Sequence, residues 1–207
     1  MNNGIIAIGA HPDDIELGCG ASLTKLASKG FNVYSVVLSA GDKGNPVDFD
    51  RIKEAKNGLN HLGITQTFFL DFEDTKLGLH LHDIIYSLEN ILKNLSHLNI
   101  NRVYTMFKDD RHQDHRATYE ASIVAFRKIS QILCYETPSS GTQFQPQVFE
   151  EIDDNLLDKK IAAIKLHKSQ LHRNYMSEHF IKSLATLRGH QAGYTLSEGF
   201  VPYKMVL

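Results

Sequence analysis

The sequence predicts a Rossmann-like α/β fold, in which a mainly parallel sheet carries helices on both faces. Two observations predict it: short apolar runs alternate with segments of helical periodicity, and the first apolar runs are continuous, as in strands buried on both faces. Consecutive parallel strands are joined by right-handed crossovers. Because such sheets bind ligands at the carboxyl ends of their strands, the residues that follow each strand are candidates for function.

The predicted elements follow a regular order through the first two thirds of the chain. The first strand covers 5–8, and the helix after it begins at Asp13 or Asp14 and stops at Gly30. Further helices are predicted over 51–62, 79–98 and about 112–127. The strands that alternate with them cover 33–38, 68–70, 103–106 and 132–135.

The last third is less regular. Residues 137–147 are rich in Pro, Ser and Gly and predict a loop. Helices are expected from Asp153 to about Leu171 and over 178–187, with a last strand over 194–206. No repeat or linker divides the sequence, so residues 1–207 are expected to form a single domain.

Composition restricts the partners. The 207 residues have a formal net charge of -2, which leaves no basic surplus for nucleic acid. Cys19 and Cys134 stand far apart, as in a reducing compartment, and residues 1–4 lack the features of a signal peptide. No apolar segment has the length needed to span a membrane. These features predict a cytoplasmic protein.

The first chemical motif is His11-Pro12-Asp13-Asp14, at the junction of the first strand and its helix. Pro12 favours an extended His11, whose imidazole would then project from the end of the strand. The simpler interpretation is that the two carboxylates only cap the helix, which is the usual role of such a pair.

The second motif, Asp110 to His115, follows the fourth strand. His112 and His115 are three residues apart and would share one face of a helix that starts there. By itself, this segment fits a polar helix start with exposed histidines equally well.

Together the two motifs are more specific. A parallel sheet brings the ends of its first and fourth strands to the same edge, where His11, Asp14 and His115 can supply three ligands. A fourth position then remains for water, as in catalytic zinc sites, although the same ligands also suit Fe²⁺.

These segments resemble the PIG-L/LmbE family of zinc-dependent N-acetylglucosaminyl deacetylases. Residues 10–14 with 16–20 resemble its first motif, and residues 112–116 resemble its second. The resemblance extends through 51–54, 62–63, 70–77, 188–189 and 197–200. Gln113, where the family usually has Pro, and Ile15, where it often has Glu, depart from the pattern at positions that carry no ligand.

The resemblance implies a role for each site residue. His11, Asp14 and His115 would hold Zn²⁺, and Asp13 would be the base that activates water. His112, oriented by Asp114, would stabilise the oxyanion or protonate the leaving amine. The same resemblance makes Arg51 and Asp74 candidates for holding sugar hydroxyls.

The implied substrate is a small molecule or glycoconjugate that contains N-acetylglucosamine, and acetate is the implied product. Hydrolysis of another amide or ester, and a sugar- or nucleotide-binding module without catalysis, are the alternatives. The identity of the substrate and a homo-oligomeric state are left open.

Several other residues that could suggest a function are explained more simply by packing or by exposure to solvent. Gly18 and Gly20 lie too far inside the helix for a dinucleotide loop and favour close packing, and Cys19 is expected to be a small buried residue. His167 is expected on a solvated helix face, together with Gln170 and His172. The direction of Glu136 is not fixed by the sequence.

Overall fold

The computed structural model describes residues 3–44 and 49–206. Its strands are β1 (Asn3–Gly9), β2 (Asn32–Val37), β3 (Gln66–Phe69), β4 (Asn99–Thr105), β5 (Gln131–Tyr135), β6 (Val148–Glu151) and β7 (Ser197–Met205). The α-helices are α1 (Asp14–Ser28), α2 (Arg51–His61), α3 (Leu81–Asn94), α4 (Gln113–Ala125), α5 (Asp154–Ile164) and α6 (Glu178–Ala192). The seven strands form one sheet in the order β3-β2-β1-β4-β5-β7-β6.

The parallel part of the sheet, β1 to β5, determines where the site lies. β1 is buried from Gly4 to Gly9 and pairs in parallel with β2 on one side and β4 on the other. The ends of β1 and β4 are therefore immediate neighbours, and the strand order reverses between them. This confirms the predicted fold class and brings the two sequence motifs to one edge of the sheet.

The helices form two packed groups, as the two layers of a doubly covered sheet require. Helix α5 packs against α1 and α2, whereas α3 packs against α4. The core between them includes large, fully buried side chains, among them Tyr104, Tyr135, Phe126 and Phe200. No helix in the described part of the chain is long and apolar enough to cross a membrane.

The sheet differs from the prediction beyond β5. β7 is antiparallel to β5, and β6, which the sequence analysis missed, pairs antiparallel with β7. The β6 sequence, Val-Phe-Glu-Glu, is short and partly exposed, so its pattern alone does not indicate a strand. It becomes one because β7 offers it a free edge.

Helices α3 and α5 are several residues shorter than predicted, and α6 extends beyond its predicted end to Ala192. Helix α3 begins at Leu81, after a 3-10 helix over Leu77–His80, and ends at Asn94. Helix α5 ends at Ile164, and successive turns carry the chain through His167 and Gln170 instead. The polar side chains of His167, Ser169 and Gln170 are buried there, which a regular amphipathic helix would not allow.

Helix α1 is kinked at Cys19, which has φ −143°. The backbone N–H groups of Ala21 and Ser22 donate to the Glu198 carboxylate, which also accepts a hydrogen bond from Lys160. Gly18 lies against the Tyr135 ring, where a Cβ would be only 2.0 Å from Cδ2. The predictions of close packing here and of a buried Cys19 are therefore confirmed.

Candidate active site

A cavity of about 390 Å³ opens at the carboxyl edge of the parallel strands. Seven of the eight predicted site residues line it: His11, Asp13, Asp14, Arg51, Asp74, His112 and His115. Asp114, the eighth, is fully buried and is not among the lining residues. The cavity volume is typical of small-molecule sites.

Asp13 adopts a left-handed backbone conformation, with φ 98° and ψ −26°. A non-glycine residue in this region costs about 1–2 kcal/mol and persists only where its surroundings enforce it. Although Asp13 occupies the N-cap position of α1, its side chain makes no capping hydrogen bond. The carboxylate is therefore directed into the cavity, and the interpretation of Asp13 as a simple cap is wrong.

The Asp14 carboxylate lies between two imidazole rings. Its Oδ2 is 3.5 Å from His11 Nδ1, and its Oδ1 is 3.4 Å from His115 Nε2. The backbone N–H of His11 donates to the same Oδ2 at 2.7 Å and fixes the position of the carboxylate. The three predicted ligands therefore face one another across a short distance.

The second nitrogen of each of these rings faces carboxylates. His115 Nδ1 is 3.1 Å from Asp110 Oδ2, and His11 Nε2 lies 3.2 Å from Asp114 Oδ2 and 3.1 Å from Asp74 Oδ1. Carboxylates behind histidines are typical of metal sites, because they orient the ring and increase its basicity. His11 Nδ1 and His115 Nε2 are thus the nitrogen atoms left for a ligand.

The charges in this cluster favour a bound cation. Burial lowers the pKa of His11, but its hydrogen bonds with Asp114, Asp14 and Asp74 outweigh burial and raise the pKa well above its ordinary value. For His115, burial is likewise outweighed by Asp14 and Asp110, which raise the pKa to about 9. The carboxylates that favour a positive charge on the two rings would equally favour a divalent metal ion between them. The residues of this cluster therefore fit a divalent metal.

Three imidazoles also approach one another. Ring nitrogens of His11, His112 and His115 lie within 4.8 Å of each other, so His112 could join a ligand set. His11, Asp74 and Asp114 form a second such group. In that group the two carboxylates both contact His11 Nε2, as hydrogen-bond acceptors would.

Burial and the adjacent Asp14 carboxylate raise the pKa of Asp13 to about 6, although Arg51 opposes the shift. Arg51 Nη2 is 3.3 Å from Asp13 Oδ2 and donates to the Pro12 carbonyl at 2.8 Å, while Nη1 donates to the Gly41 carbonyl at 2.7 Å. A carboxylate with this pKa can accept a proton at neutral pH.

The carboxylate of Asp114 makes no hydrogen bond with the His112 ring, so the predicted orientation of His112 by Asp114 does not come from the carboxylate. His112 Nδ1 instead accepts the backbone N–H of Asp114, at 3.2 Å. The Asp114 carboxylate accepts from the N–H groups of Thr75 and Leu77 and contacts His11. Asp114 thus orients His11, from behind the cavity.

Because His112 Nδ1 is an acceptor, the neutral ring carries its proton on Nε2. Burial and the positive charges of His115 and His11 lower the pKa of His112, which favours this neutral form. The backbone N–H of His112 donates to Asp110 Oδ1 at 2.8 Å, so Asp110 holds both histidines of the second motif.

Arg51 and Asp74, the predicted sugar-binding residues, border the cavity, but their hydrogen bonds go to the protein itself. Asp74 Oδ2 accepts the backbone N–H of Lys43 at 2.7 Å, and its other oxygen faces His11. Arg51 holds the Pro12–Asp13 turn. Arg51 therefore helps to position Asp13, and Asp74 helps to position His11.

The sequence analysis placed Asp110 in the second motif but gave it no role, although it is 1% exposed and also accepts from Thr137 and Ser140. Its place beside the histidines, in the segment after β4, was an available signal. Gln170, Arg173 and Tyr175 also line the cavity, and they come from the irregular segment after α5.

Other expectations for this region need correction. His167 is buried and its Nε2 lies 2.8 Å from Glu16 Oε1, so the expectation of a solvated helix face is wrong for it. It is also wrong for Gln170, which is buried, whereas His172 is exposed. Glu136 pairs with Arg188 through both carboxylate oxygens.

A doubly wound sheet with a buried cluster of histidine and aspartate at its switch point defines the class: an α/β protein with a candidate metal site in its cavity. The comparisons with known proteins agree. Residues 6–126 match the family model described as PIG-L: GlcNAc-PI de-N-acetylase, which covers more than half of the chain. The chain therefore belongs to the PIG-L family, and the predicted family and deacetylase class are confirmed.

Two relatives in sequence carry related descriptions. The "Uncharacterized deacetylase YaiS" of Escherichia coli (strain K12) is 54% identical over 80% of this chain and 91% of its own length. The diacetylchitobiose deacetylase of Thermococcus kodakarensis (strain ATCC BAA-918 / JCM 12380 / KOD1) is 24% identical over 96% of this chain and 83% of its own.

A solved structure shows how widely the fold is used. GalB, the 4-carboxy-2-hydroxymuconate hydratase of Pseudomonas putida KT2440, superposes with a TM-score of 0.80 and 18% identity over 99% of this chain and 98% of its own. A likeness at this identity describes the fold alone. The reaction must therefore be argued from the site residues.

Proposed function

We propose that this protein removes the acetyl group from an N-acetylated amino sugar, with a divalent metal held by His11, Asp14 and His115. The observation that carries the proposal is the Asp14 carboxylate between His11 Nδ1 and His115 Nε2, with the other nitrogen of each ring facing carboxylates. The acetylated substrates of the family and of the diacetylchitobiose deacetylase support the choice of substrate class.

The ligand chemistry supports zinc as the metal, because two imidazoles and one carboxylate leave an open position, as in catalytic zinc sites. Ferrous iron suits the same ligands and remains the alternative. The free, buried Cys19 and Cys134 support a reducing compartment such as the cytoplasm. We also propose that residues 1–207 form a single domain.

When bound, the metal supplies a Lewis acid for the acetyl carbonyl and the attacking water. Asp13 takes a proton from that water as its oxygen bonds to the carbonyl carbon. The Nε2–H of neutral His112 donates to the oxygen of the tetrahedral intermediate and stabilises its negative charge. The C–N bond then breaks as the protonated Asp13 returns its proton to the leaving amine, and acetate and the free amino sugar leave.

Asp13 is proposed to act as the base and not as a metal ligand, and a substitution of Asp13 tests this role. Asp13→Asn should keep the metal and lower kcat by roughly a hundredfold to ten-thousandfold, because a positioned general base contributes about that much. The loss of kcat would be measured by acetate release from methyl N-acetylglucosaminide and diacetylchitobiose. Retention of the metal would be measured by mass spectrometry. Asp158→Asn, an exposed aspartate of α5, is the matched control.

The metal is tested on the same enzyme. Chelation should abolish acetate release and added Zn²⁺ or Fe²⁺ should restore it. Full turnover by an enzyme shown to be metal-free would contradict the proposal, as would a metal-loaded Asp13→Asn variant with unchanged kcat.

A further inference from the structure

Thr75, in the wall of the active-site cavity, has an unusual backbone conformation. Its φ is 68°, and Asp13 is the only other non-glycine residue with a positive φ in the described part of the chain. Thr75 is the third residue of a tight turn that is closed by a hydrogen bond from Lys76 N–H to the Glu73 carbonyl, at 3.2 Å. At this position a positive φ is usual for glycine or asparagine, whereas a branched Cβ makes it unfavourable.

The surroundings of Thr75 enforce this conformation. Its backbone N–H donates to Asp114 Oδ2 at 2.7 Å, and the N–H of Leu77 donates to the other oxygen at 3.1 Å. The carbonyl of Thr75 accepts from Gln113 Nε2 at 3.4 Å. Asp114 is fully buried, so the carboxylate that holds the turn is itself fixed. The first turn of α4 therefore holds the backbone of Thr75 on both sides.

The same contacts connect the turn to a proposed metal ligand. Asp74 Oδ1 is 3.1 Å from His11 Nε2, and Asp114 Oδ2 is 3.2 Å from the same nitrogen. Thr75 follows Asp74 directly in the chain and donates its N–H to Asp114. Its position relative to His11 is therefore fixed, and both residues line the same cavity.

The side chain of Thr75 is what the turn gains from the unfavourable conformation. Glycine would form the same turn without strain. Within residues 3–44 and 49–206, the hydroxyl of Thr75 has no hydrogen-bond partner. The adjacent Asp74 carboxylate, in contrast, is engaged by His11 and by the N–H of Lys43. A threonine hydroxyl can both donate and accept a hydrogen bond, which complements the hydroxyl of a sugar.

We propose that Thr75 is a specificity-determining residue, whose hydroxyl forms a hydrogen bond with a hydroxyl group of the amino sugar. The proposal rests on the proposed deacetylation. Strained backbone is typically retained at functional sites, where the surrounding structure enforces it. The enforced turn at Thr75 presents a neutral hydrogen-bonding group beside the metal-binding residues, so it can recognise the sugar while they act on its amide.

The test compares Thr75→Val with the wild type on methyl N-acetylglucosaminide and on the three analogues that each lack one of its hydroxyl groups. Valine keeps the branched shape of threonine and removes only the hydroxyl. For the parent glycoside, kcat/KM should fall roughly threefold to tenfold, which is the contribution of one neutral hydrogen bond. With one of the three analogues the two enzymes should be equal, because the contact is already lost. Thr75→Ser should recover part of the loss.

The backbone of Thr75 gives a second measurement, in the opposite direction. Thr75→Gly should raise the midpoint of urea unfolding, because glycine adopts a positive φ freely, yet it should lose kcat/KM as Thr75→Val does. Thr186→Val, at an exposed position of α6, is the matched control and should leave kcat/KM unchanged. An unchanged kcat/KM in Thr75→Gly, or a loss in Thr75→Val that is equal for all four substrates, would overturn the proposal.

Equilibrium binding separates this inference from the function on which it rests. The metal-loaded Asp13→Asn variant, with and without Thr75→Val, should bind the same four glycosides without hydrolysing them. Acetate release by the wild type, with a loss in Thr75→Val that does not depend on the substrate, would leave deacetylation standing and remove the role of Thr75. Weaker binding of the parent glycoside but not of one analogue, without acetate release from any of them, would support the contact and contradict deacetylation.

Discussion

Two walls of the cavity are built in different ways: the metal-binding wall, and a cationic wall that consists of Lys43, Gly44, Gln170 and Arg173. His11, Asp14, His112 and His115 form the metal-binding wall, and all four lie in the segments that follow two adjacent strands, β1 and β4. The cationic wall comes from loops more than a hundred residues apart, held together by buried hydrogen bonds. The first wall therefore follows from local motifs, whereas the second depends on contacts between distant segments.

The largest effect is expected for loss of a metal ligand, and it distinguishes the ligand His115 from its neighbour His112. His115→Ala should lose the metal and reduce turnover to background, because it removes one of three ligands and leaves Asp14 without one of its partners. His112→Ala should retain the metal and slow turnover roughly a hundredfold, mainly through kcat. Metal content and steady-state kinetics of both variants provide the measurement.

The alternative for this wall is a ligand set made of three imidazoles. If His112→Ala also emerges free of metal, then His112 is a ligand and its role as a hydrogen-bond donor is wrong. Unchanged turnover in that variant would equally contradict the role assigned to its Nε2–H.

An intermediate effect is expected where the two walls meet, at Arg51. Arg51→Gln should lower kcat about tenfold to a hundredfold with the metal retained, because the Pro12–Asp13 turn loses its support and a small displacement of a base is costly. Arg51→Lys, which keeps the charge, should recover part of the loss. A raised KM with unchanged kcat would instead show that Arg51 binds the sugar, as the family resemblance implies.

The smallest effect on turnover is expected at His167, which does not line the cavity. His167→Ala leaves the Glu16 carboxylate buried without its partner, which should destabilise the protein by about 3–5 kcal/mol. The turnover of the folded fraction should stay within about threefold of wild type. Urea unfolding and kinetics measure the two effects, with exposed His172→Ala as control; an unchanged unfolding midpoint would contradict the inferred importance of the pair.

The sequence by itself determined the parallel half of the fold and the metal-binding wall. Continuous apolar runs specify buried parallel strands. The motifs after β1 and β4 come together once these two strands are neighbours in the sheet. These are local signals, since each motif lies within a few residues of the strand that positions it. The predicted position of His11, Asp14 and His115 at one edge followed from them.

Only the tertiary structure decided which side chains act on which. Arg51 contacts the Asp13 turn, and β6 is a strand because β7 pairs with it. The Asp114 carboxylate contacts His11, whereas His112 is held by the Asp114 backbone N–H. The cationic wall likewise depends on Gln170, which α5 would have carried elsewhere had it continued past Ile164. These arrangements depend on the direction of side chains and on partners distant in sequence, and neither is encoded in local hydrophobic periodicity.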